Sequence, residues 1–388
     1  MWRLVSCMRH GGFSGVAIRD SLSAFILLEV QPLPDIHALL LPVLRLLPPE
    51  AAHRATIGAL ALGMGPRDRV VDDPVLATSL WGLDFRNPIG LSAGFDKGAE
   101  VPDAMLAAGF GFVEAGTVTP LPQPGNPKPR MFRLSADDAA INRLGFNGTG
   151  LGPYVRRISA RKKGLGPFGA NIGKNKVTED GAADYEIGIE AVAPYADYLV
   201  ANISSPNTPG LRAMQGREIL ADMIDRVLQA RGRAVPEAAD RPPLIVKIAP
   251  DLDDAERTDI AAVIMDAGVD GLTVANTTVQ RPSDMTDPQT QEAGGLSGAP
   301  LFPIALEIIG DMYERTDGKV PIIGCGGVAS GADAYAMIRA GASLVQLYTA
   351  LVFHGPGLIP RIKRELTDLL KRDGFASVAD AVGIDRKG

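Results

Sequence analysis

The chain has 388 residues, of which 46% are hydrophobic and 22% charged, and its formal net charge is −6. This length suits one large domain or two ordinary ones, and α/β barrels use it as a single unit. The negative charge, with no basic stripe carrying aromatic side chains, argues against nucleic acid as a partner. Two cysteines without C-x-x-C spacing and four scattered histidines argue against a disulfide framework and a metal site.

Residues 1–34 form a basic N-terminal extension that contains one short apolar stretch. The stretch is brief and no clear small-residue cleavage site follows it. A targeting segment, a disordered tail and a start codon assigned too early are all open interpretations. No apolar run in the sequence approaches the roughly 20 residues that span a bilayer.

Residues 35–70 predict two short helices joined at Pro48 and Pro49. The segment "DIHALLLPVLRLLP" is leucine-rich on nearly all sides, and "PEAAHRATIGALALGMG" continues with helix formers until Gly63 and Gly65. Each helix is too short to cross a membrane and too apolar to be left in water. The pair therefore either covers a core or lies in a membrane interface.

Residues 71–388 alternate short apolar strands with helix-like stretches. The strands lack polar alternation, as expected for parallel strands that are buried on both faces. They cover residues 89–94, 112–117, 168–173, 198–204, 244–249, 271–277, 321–326 and 344–349. These eight β-then-α units predict an α/β fold, a TIM (β/α)8 barrel preceded by the short helical extension.

Polar residues gather at the carboxyl ends of the predicted strands, where a TIM barrel builds its active site. They are Asp96, Lys97, Thr117, Asn171, Asn202, Ser204, Ser205, Lys247, Asn276, Thr277, Tyr348 and Thr349. The sequence therefore predicts one shared pocket. The segment "ANISSPNTPGLR" (residues 201–212) forms the wall that follows the fourth strand.

The segment "GCGGVA" (residues 324–329) matches the G-x-G-x-x-A dinucleotide pattern. It follows the seventh strand rather than the first, however, and no acidic residue follows about 20 positions later. Loops after strands seven and eight of a barrel commonly bind one phosphate. Gly326, Gly327, Tyr348 and Thr349 fit that role and indicate a mononucleotide cofactor; a plain tight turn is the alternative.

Lys247 lies inside an otherwise apolar strand, "LIVKIAP". A lysine buried in a barrel needs an anionic partner or a lowered pKa. A reduced flavin carries negative charge around N1 and O2, which such a lysine would stabilise. A Schiff-base lysine and a structural ion pair are the alternatives.

Five asparagines lie at predicted strand ends or in the neighbouring loops: Asn142, Asn171, Asn202, Asn207 and Asn276. Each amide offers both a donor and an acceptor, so several together suit a flat cyclic imide or amide. Turn formation is the alternative role for any one of them.

Several segments together resemble the signatures of class 2 dihydroorotate dehydrogenase. In chain order they are "AGFDKGAE", "GTVTPLPQPGNPKPRMFRL", "INRLGFN", "NIGKNK", "NISSPNTPGLR", "ANTT", "GGLSG" and "IIGCGGV". The similarity covers about residues 36–372. It implies that (S)-dihydroorotate is oxidised to orotate in pyrimidine biosynthesis, with FMN in the barrel and a membrane quinone as electron acceptor.

The resemblance also assigns binding residues by motif. The FMN contacts that it implies are Ala93, Gly94, Phe95, Asp96, Lys97, Thr117, Asn171, Asn202, Lys247, Gly298, Gly327, Tyr348 and Thr349, with the backbone of Ala275. The substrate contacts that it implies are Lys97, Asn142, Arg143, Leu144, Gly145, Phe146, Asn202, Asn207, Asn276 and Thr277.

By the same resemblance, Ser205 is the base that takes a proton from C5 of dihydroorotate while C6 loses a hydride. Serine is a poor base unless its own proton has an exit, and Thr208 would relay that proton. Pro206 and Pro209 are expected to stiffen the loop. Capping of the turn is the alternative role for the two serines. Class 1 relatives carry cysteine as the base, so Ser205 indicates class 2.

Class 2 enzymes also possess the helical pair, which forms the mouth of an apolar tunnel to FMN. By this resemblance residues 35–65 lie on a membrane surface and admit a ubiquinone-type acceptor, and His53, Arg133 and Tyr348 line the tunnel. A helix-end role is the alternative for His53. The expected location is peripheral, on the cytoplasmic face of the cell membrane or, in a eukaryote, on the mitochondrial inner membrane.

Two other hypotheses for function remain at this point. One is another FMN barrel that acts on a pyrimidine, such as a dihydrouracil-type or tRNA-dihydrouridine enzyme. Such enzymes would bring a catalytic cysteine, iron–sulfur cysteines or a basic RNA-binding face, none of which the sequence contains. The other is a non-catalytic barrel attached to a membrane surface.

Overall fold

A computed structural model describes residues 42, 44–162, 164–208 and 210–386, which belong to a compact unit that begins at residue 36. The strands of this part of the chain are β1 (Thr78–Leu80), β2 (Leu83–Phe85), β3 (Ile89–Leu91), β4 (Phe112–Val118), β5 (Met131–Leu134), β6 (Ala139–Asn142), β7 (Phe168–Ile172), β8 (Tyr198–Asn202), β9 (Leu244–Ile248), β10 (Gly271–Val274), β11 (Gly295–Gly298), β12 (Ile322–Cys325) and β13 (Ala342–Leu347). The parallel strands β3, β4, β7, β8, β9, β10, β12 and β13 close into a barrel. The predicted TIM barrel is therefore confirmed.

Among the residues that the structure describes, seven α-helices connect consecutive barrel strands and two more follow the last strand. They are α2 (Pro102–Ala107), α3 (Leu151–Ala160), α4 (Gly181–Val192), α5 (Arg217–Ala234), α6 (Asp254–Ala267), α7 (Phe302–Arg315), α8 (Gly331–Ala340), α9 (Thr349–His354) and α10 (Leu358–Arg372), and α1 (Pro49–Ala61) precedes them. Of the helical pair predicted within residues 35–70, α1 is the second member. Most of the first member, the extension 1–34 and Pro209 fall outside the described residues. No helix in the described ranges is long and apolar enough to span a bilayer.

The amino end of the barrel is closed by large aromatic rings that face glycines. A Cβ atom on Gly90 would lie 2.2 Å from the ring of Phe112, and one on Gly169 would lie 2.1 Å from the ring of Tyr198. Only glycine fits at these two positions, because the rings occupy the space of a side chain. The hairpin β1–β2 covers this end, and its Phe85 packs edge-to-face on Phe112 with ring centroids 5.4 Å apart.

A second, three-stranded antiparallel sheet is inserted after β4 and after β10, in the order β11–β6–β5. Its inner residues Phe132, Leu134, Ile141 and Leu296 form a separate buried cluster. This sheet is not among the elements predicted from the sequence. Each of its strands is four residues long. In the sequence, about half of the barrel lies between β6 and β11.

Helix α1 is held to the barrel by an ion pair between a half-buried glutamate and a buried arginine. Nη2 of Arg130 donates to Oε1 of Glu50 at 2.7 Å, and Nε donates to Oε2 at 3.2 Å. Arg130 is 6% exposed and also donates to the carbonyls of Pro124 and Asn126. Because a two-pronged guanidinium–carboxylate pair fixes direction as well as distance, α1 is positioned against the loop that follows β4.

Candidate active site

The carboxyl ends of the barrel strands, the three-stranded sheet and α1 enclose one cavity of about 720 Å³. This volume is in the range of cofactor and substrate sites. Where α1 borders the cavity the lining is apolar and includes Ala52, Ala59 and Leu60. Where the strand ends border it, the lining is polar and includes Lys247 and Asn276. The cavity therefore joins an apolar entrance to a polar interior.

Most of the residues that the sequence predicted for the site line this one cavity. They are His53, Ala93, Gly94, Phe95, Lys97, Thr117, Arg133, Asn142, Leu144, Gly145, Phe146, Asn202, Ser205, Asn207, Lys247, Ala275, Asn276, Thr277, Gly298, Gly327, Tyr348 and Thr349. Segments that are far apart in sequence converge here because parallel barrel strands all end on the same face.

Besides Ser204, four predicted site residues do not line the cavity. The carboxylate of Asp96 accepts hydrogen bonds from the backbone of Glu100 and Val101, at 2.8 and 2.7 Å. Arg143 donates to Glu292 at 2.8 Å and lies over the ring of Phe132. Two more lie behind the lining, where they are buried: Asn171 and Thr208. These four support the cavity wall rather than form its surface.

Lys247 brings an unpaired cation into the cavity. It is 3% exposed, and its Nζ contacts Oγ of Ser92 at 3.4 Å. The pairing of β8 with β9 places Asn202 beside it. Among the described residues no carboxylate lies within 4.0 Å of this ammonium group. Because a buried charge is costly without a partner, the position favours an anionic ligand over a structural ion pair.

The loops after β11 and β12 approach the cavity through glycines with left-handed backbone. Gly298 has φ +101° and Gly327 has φ +74°. A Cβ on Gly298 would lie 2.3 Å from the carbonyl oxygen of Asp138, and one on Gly327 would lie 2.6 Å from the backbone nitrogen of Phe302. Helix α8 begins later and is capped by the hydroxyl of Ser330, which accepts from the backbone of Asp333. At Gly298 and Gly327 the cavity is thus lined by backbone groups of loops and not by the end of a helix.

The loop after β8 presents Ser205 to the cavity. Ser205 is 6% exposed, and its Oγ accepts a hydrogen bond from the backbone nitrogen of Asn207 at 3.2 Å. Thr208 is 5% exposed, and its Oγ1 is buried without a hydrogen-bond partner in the described part of the chain. The neighbouring Ser204 is buried, does not line the cavity, and donates to Oδ1 of Asn202 at 2.7 Å. The two serines therefore have different surroundings.

The amides around this loop are tied to one another. Nδ2 of Asn207 donates to Oδ1 of Asn142 at 3.4 Å, and Nδ2 of Asn276 donates to Oγ of Ser204 at 2.8 Å. Asn126 donates to the carbonyls of Arg143 and Asn207, at 3.0 and 3.2 Å. These bonds join the loop after β8 to the loops after β4, β6 and β10, so the amides are held in fixed positions.

Lys97 supplies a second positive charge at the strand ends. Its Nζ donates to Oδ1 of Asn147 at 2.8 Å. Burial, which disfavours the ammonium form, lowers the pKa of Lys97 to about 8. This lysine can therefore change its charge in the pH range in which enzymes are assayed.

At the entrance side, His53 of α1 lies between two aromatic residues of the barrel. Its ring packs edge-to-face on Phe95, with centroids 5.5 Å apart, and its Nδ1 is 3.2 Å from the hydroxyl of Tyr348. Nη1 of Arg133 donates to the carbonyl of Arg45 at 2.8 Å. Of the three residues predicted for the tunnel, His53 thus belongs to α1, Tyr348 contacts α1, and Arg133 contacts the segment before it.

Sequence reasoning missed several polar residues of this region. Ser92, Ser297, Cys325 and Gln346 line the cavity, and Glu114 lies directly beneath it in the barrel. Glu114 and Gln346 could have been found, because each is a polar residue inside an apolar strand, "FVEAGT" and "LVQLYT". That is the same signal that identified Lys247.

The closed parallel barrel and the cavity at its carboxyl face define a (β/α)8-barrel enzyme whose chemistry takes place at the strand ends. A family model described as Dihydroorotate dehydrogenase matches residues 75–370. The chain belongs to the dihydroorotate dehydrogenase family.

The relatives of this chain carry the name of the quinone-dependent enzyme. A dihydroorotate dehydrogenase (quinone) of Azorhizobium caulinodans is 56% identical over 353 residues, which are 90% of this chain and 99% of that protein. The mitochondrial dihydroorotate dehydrogenase (quinone) of Mus musculus is 50% identical over 357 residues, 90% of each chain. The crystal structure of DHODH from Eimeria tenella in complex with ferulenol has a TM-score of 0.84 and 44% identity, and the match covers 89% of this chain and 99% of that one. The resemblance to class 2 is confirmed.

Proposed function

We propose that this protein oxidises (S)-dihydroorotate to orotate in pyrimidine biosynthesis and passes the electrons to a quinone. The observation that carries the proposal is a single cavity lined by Ser205 and Lys247 at the strand ends and by His53 on α1. A substrate at the polar interior and an electron acceptor at the apolar entrance would then share one enclosed space. Membership of the family and the names of the relatives support the same activity.

The residues around the polar interior fit FMN as the cofactor. An unpaired, buried Lys247 suits the electron-rich N1 and O2 side of a flavin. The backbone at Gly298 and Gly327, where side chains would clash, suits the close approach of a phosphate together with Thr349. When bound, FMN supplies the hydride acceptor for C6 of the substrate and the electron route to the quinone.

Ser205 is the base in this proposal, and Thr208 is the proton relay. Ser205 lines the cavity, where its hydroxyl can take the proton that leaves C5. The hydroxyl of Thr208, three residues later, is buried and has no hydrogen-bond partner in the described part of the chain. A buried hydroxyl without a partner is costly, so this one is available to pass a proton from Ser205 onward.

Substrate recognition in this proposal depends on the amides and on Lys97. Asn142, Asn207 and Asn276 line the cavity beside Ser205 and are held by hydrogen bonds to neighbouring side chains. They can hydrogen-bond the carbonyl and imide groups of a flat pyrimidine. The ammonium group of Lys97 supplies the counter-charge for its carboxylate.

We also propose that residues 35–70 dock the protein on a lipid bilayer and admit a ubiquinone-type acceptor, while residues 71–388 form the FMN barrel. Three large apolar side chains beside the cavity entrance are exposed: Leu46 at 85%, Leu62 at 78% and Met64 at 58%. Apolar side chains grouped at one entrance are typical of a membrane-contacting surface. A peripheral attachment on the cytoplasmic face, or on the mitochondrial inner membrane in a eukaryote, follows from this proposal.

The activity is tested by one spectrum of the purified protein under anaerobic conditions. We expect flavin absorbance that is bleached when (S)-dihydroorotate is added and restored by a quinone. Protein that stays colourless after incubation with FMN would contradict the cofactor assignment. Flavin absorbance that dihydroorotate leaves unchanged would contradict the substrate assignment.

The docking surface is tested with charged substitutions on the full chain. The double variant Leu46→Glu/Leu62→Glu should lose binding to liposomes and most activity with quinone in lipid, while activity with a soluble dye is retained. Ile187→Glu is the matched control, because Ile187 is a 53% exposed residue of α4 on the outside of the barrel. Equal liposome binding by the two variants would contradict the docking proposal.

A further inference from the structure

Glu114 is a carboxylate buried at the centre of the barrel without a cation. It is 0% exposed, and both of its oxygens accept hydrogen bonds from neutral amides. Nδ2 of Asn171 donates to Oε1 at 2.7 Å, and Nε2 of Gln346 donates to Oε2 at 2.7 Å. In the described ranges no lysine, arginine or histidine nitrogen lies within 4.0 Å of it. Apolar side chains usually fill this space in barrels, so the buried charge calls for a role.

A chain of hydrogen bonds leads from Glu114 towards the cavity. Asn171 uses its Nδ2 on Glu114, and its Oδ1 accepts from Oγ1 of Thr117 at 2.5 Å. Oγ1 of Thr117 in turn accepts from Nδ2 of Asn202 at 2.8 Å. Every donor in this series points towards the carboxylate.

The same direction continues beyond Asn202. Its Oδ1 accepts from Oγ of Ser204 at 2.7 Å. Oγ of Ser204 accepts from Nδ2 of Asn276 at 2.8 Å, and Oδ1 of Asn276 accepts from the backbone nitrogen of Thr277 at 2.8 Å. This series of hydrogen bonds therefore has two different ends. At one end the carboxylate of Glu114 only accepts, and at the other the backbone N–H of Thr277 only donates.

We propose that Glu114 is a positioning residue for pyrimidine recognition, because its carboxylate sets the orientation of the amides of Asn171, Asn202 and Asn276. Both oxygens of Glu114 accept an amide N–H, so Asn171 must turn its Nδ2 towards this side chain and its Oδ1 away from it. Each following hydroxyl and amide must then orient in the same sense, since hydrogen bonds in a chain are coupled. This inference rests on the proposed function.

The fixed orientation has a consequence for the ligand. The amide oxygens of Asn202 and Asn276 are both engaged within the protein, whereas each Nδ2 carries a second hydrogen. Both residues line the cavity. The network thus leaves N–H donors for the ligand and selects a ring that presents oxygen acceptors, as the carbonyl and carboxylate groups of dihydroorotate and orotate do.

The test is the affinity for orotate of the oxidised, FMN-loaded protein, measured by calorimetry. In Glu114→Gln two N–H donors face a side chain with one oxygen, so Asn171 or Gln346 must reorient. We expect orotate to bind roughly 5- to 150-fold more weakly, as for one mismatched buried hydrogen bond. Adding Gln346→Glu exchanges the two side chains and restores one carboxylate to the network. The carboxylate now at position 346 can accept from the amide N–H at position 114. The amide oxygen at position 114 can then accept from Nδ2 of Asn171. We expect this double variant to recover most of the affinity.

Two further variants complete the test. Asp184→Asn makes the same chemical change at another buried carboxylate, which accepts from the backbone of Asn175 outside the cavity, and should bind orotate like the wild type. If Glu114→Gln fails to fold, Ser204→Ala interrupts the same chain at a smaller group and should also weaken orotate binding. Wild-type affinity in folded Glu114→Gln or in Ser204→Ala, or no recovery in the double variant, would overturn the inference. A wild-type protein that does not bind orotate would instead contradict the proposed function.

Discussion

The hydroxyl of Tyr348, directly after the last barrel strand, lies 3.2 Å from Nδ1 of His53 on α1. Burial, which disfavours the imidazolium form, lowers the pKa of His53 to about 4, and the nearby charge of Lys97 acts in the same direction. Burial also raises the pKa of Tyr348. Both side chains are therefore neutral at pH 7, and the entrance of the cavity carries no charge from this pair.

Because the pKa of His53 is lower in the folded protein than the ordinary value of 6.5, acid should destabilise the attachment of α1. The unfolded chain takes up a proton below about pH 6.5 and the folded chain only below about pH 4. The contribution of His53 to the free energy of unfolding is thus complete above pH 6.5 and is lost as the pH falls towards 4. At pH 5 the loss amounts to roughly 2 kcal/mol. We expect the melting temperature of His53→Phe to fall less between pH 7 and pH 5 than that of the wild type.

Comparing the wild type with His53→Phe removes the effects of other titratable groups on stability. The contribution of Asp96 to the pH dependence of stability, for example, has the opposite sign. Burial raises the pKa of Asp96 to about 6, so its protonated form is favoured in the folded state. That contribution is the same in both proteins and cancels. Identical pH profiles of the melting temperature would show that His53 is not buried in its neutral form.

Ser205→Ala should reduce the rate of flavin reduction by dihydroorotate by roughly 100- to 10,000-fold, the usual contribution of general base catalysis. The flavin content should be unchanged, because Ser205 makes its described hydrogen bond to the backbone of its own loop. Stopped-flow absorbance measures the rate and the ratio of flavin to protein measures the content. Near-normal reduction by this variant would assign the base to another residue.

Thr208→Val should slow the same step while it preserves the shape of the loop, because valine has nearly the volume of threonine and lacks the unpartnered hydroxyl. We expect a smaller loss than for Ser205→Ala, since the relay residue acts through the base. Thr208→Ser, which keeps a hydroxyl, is the matched control and should recover most of the rate. Equal rates for valine and serine at this position would contradict the relay.

The efficiency kcat/KM for dihydroorotate should fall as the pH rises above about 8, where Lys97 loses its proton. Below that pH the ammonium group attracts the carboxylate of the substrate, and above it the attraction is lost. Lys97→Met should lower kcat/KM by roughly 10- to 100-fold at pH 7, as expected for a lost hydrogen bond to a charged group. It should also remove the decline near pH 8.

Lys97→Arg is the matched control for this prediction, because a guanidinium group keeps its charge at every pH of the assay. It should retain part of the activity at pH 7 and show no decline near pH 8. A decline that persists in both variants would assign the ionisation to a different group.

Lys247→Met should lower the reduction potential of the bound flavin by roughly 30–60 mV. Loss of a hydrogen bond from a charged donor costs about 1.5–3 kcal/mol, and about 1.4 kcal/mol corresponds to 30 mV for a two-electron couple. Spectroscopic redox titration measures the shift. Lys174→Met is the control, because Lys174 is equally buried but donates to the carbonyl of Thr178 and does not line the cavity. An unchanged potential in Lys247→Met would place the lysine away from the flavin.

The local patterns of the sequence were sufficient to predict the barrel and most of the residues that line its cavity. Eight apolar runs without polar alternation identified the parallel strands, and the polar residues after them identified the lining. The antiparallel sheet β11–β6–β5 was not predicted, because β11 is separated from its partner β6 by about 150 residues and the local pair β5–β6 has strands of only four residues. No local periodicity reports a pairing of that kind.

By itself the sequence determined which residues are candidates for the chemistry, since residue type and spacing along a strand or loop are local properties. Only the tertiary structure decided which of them face the cavity, since that depends on how the ends of different strands are aligned. It placed Ser205 on the cavity surface and Asn171 behind it, although both had been predicted as contacts. It also brought Glu114, Asn202 and Asn276 into one directed chain of hydrogen bonds, in which the bonded residues lie up to 85 positions apart in the sequence.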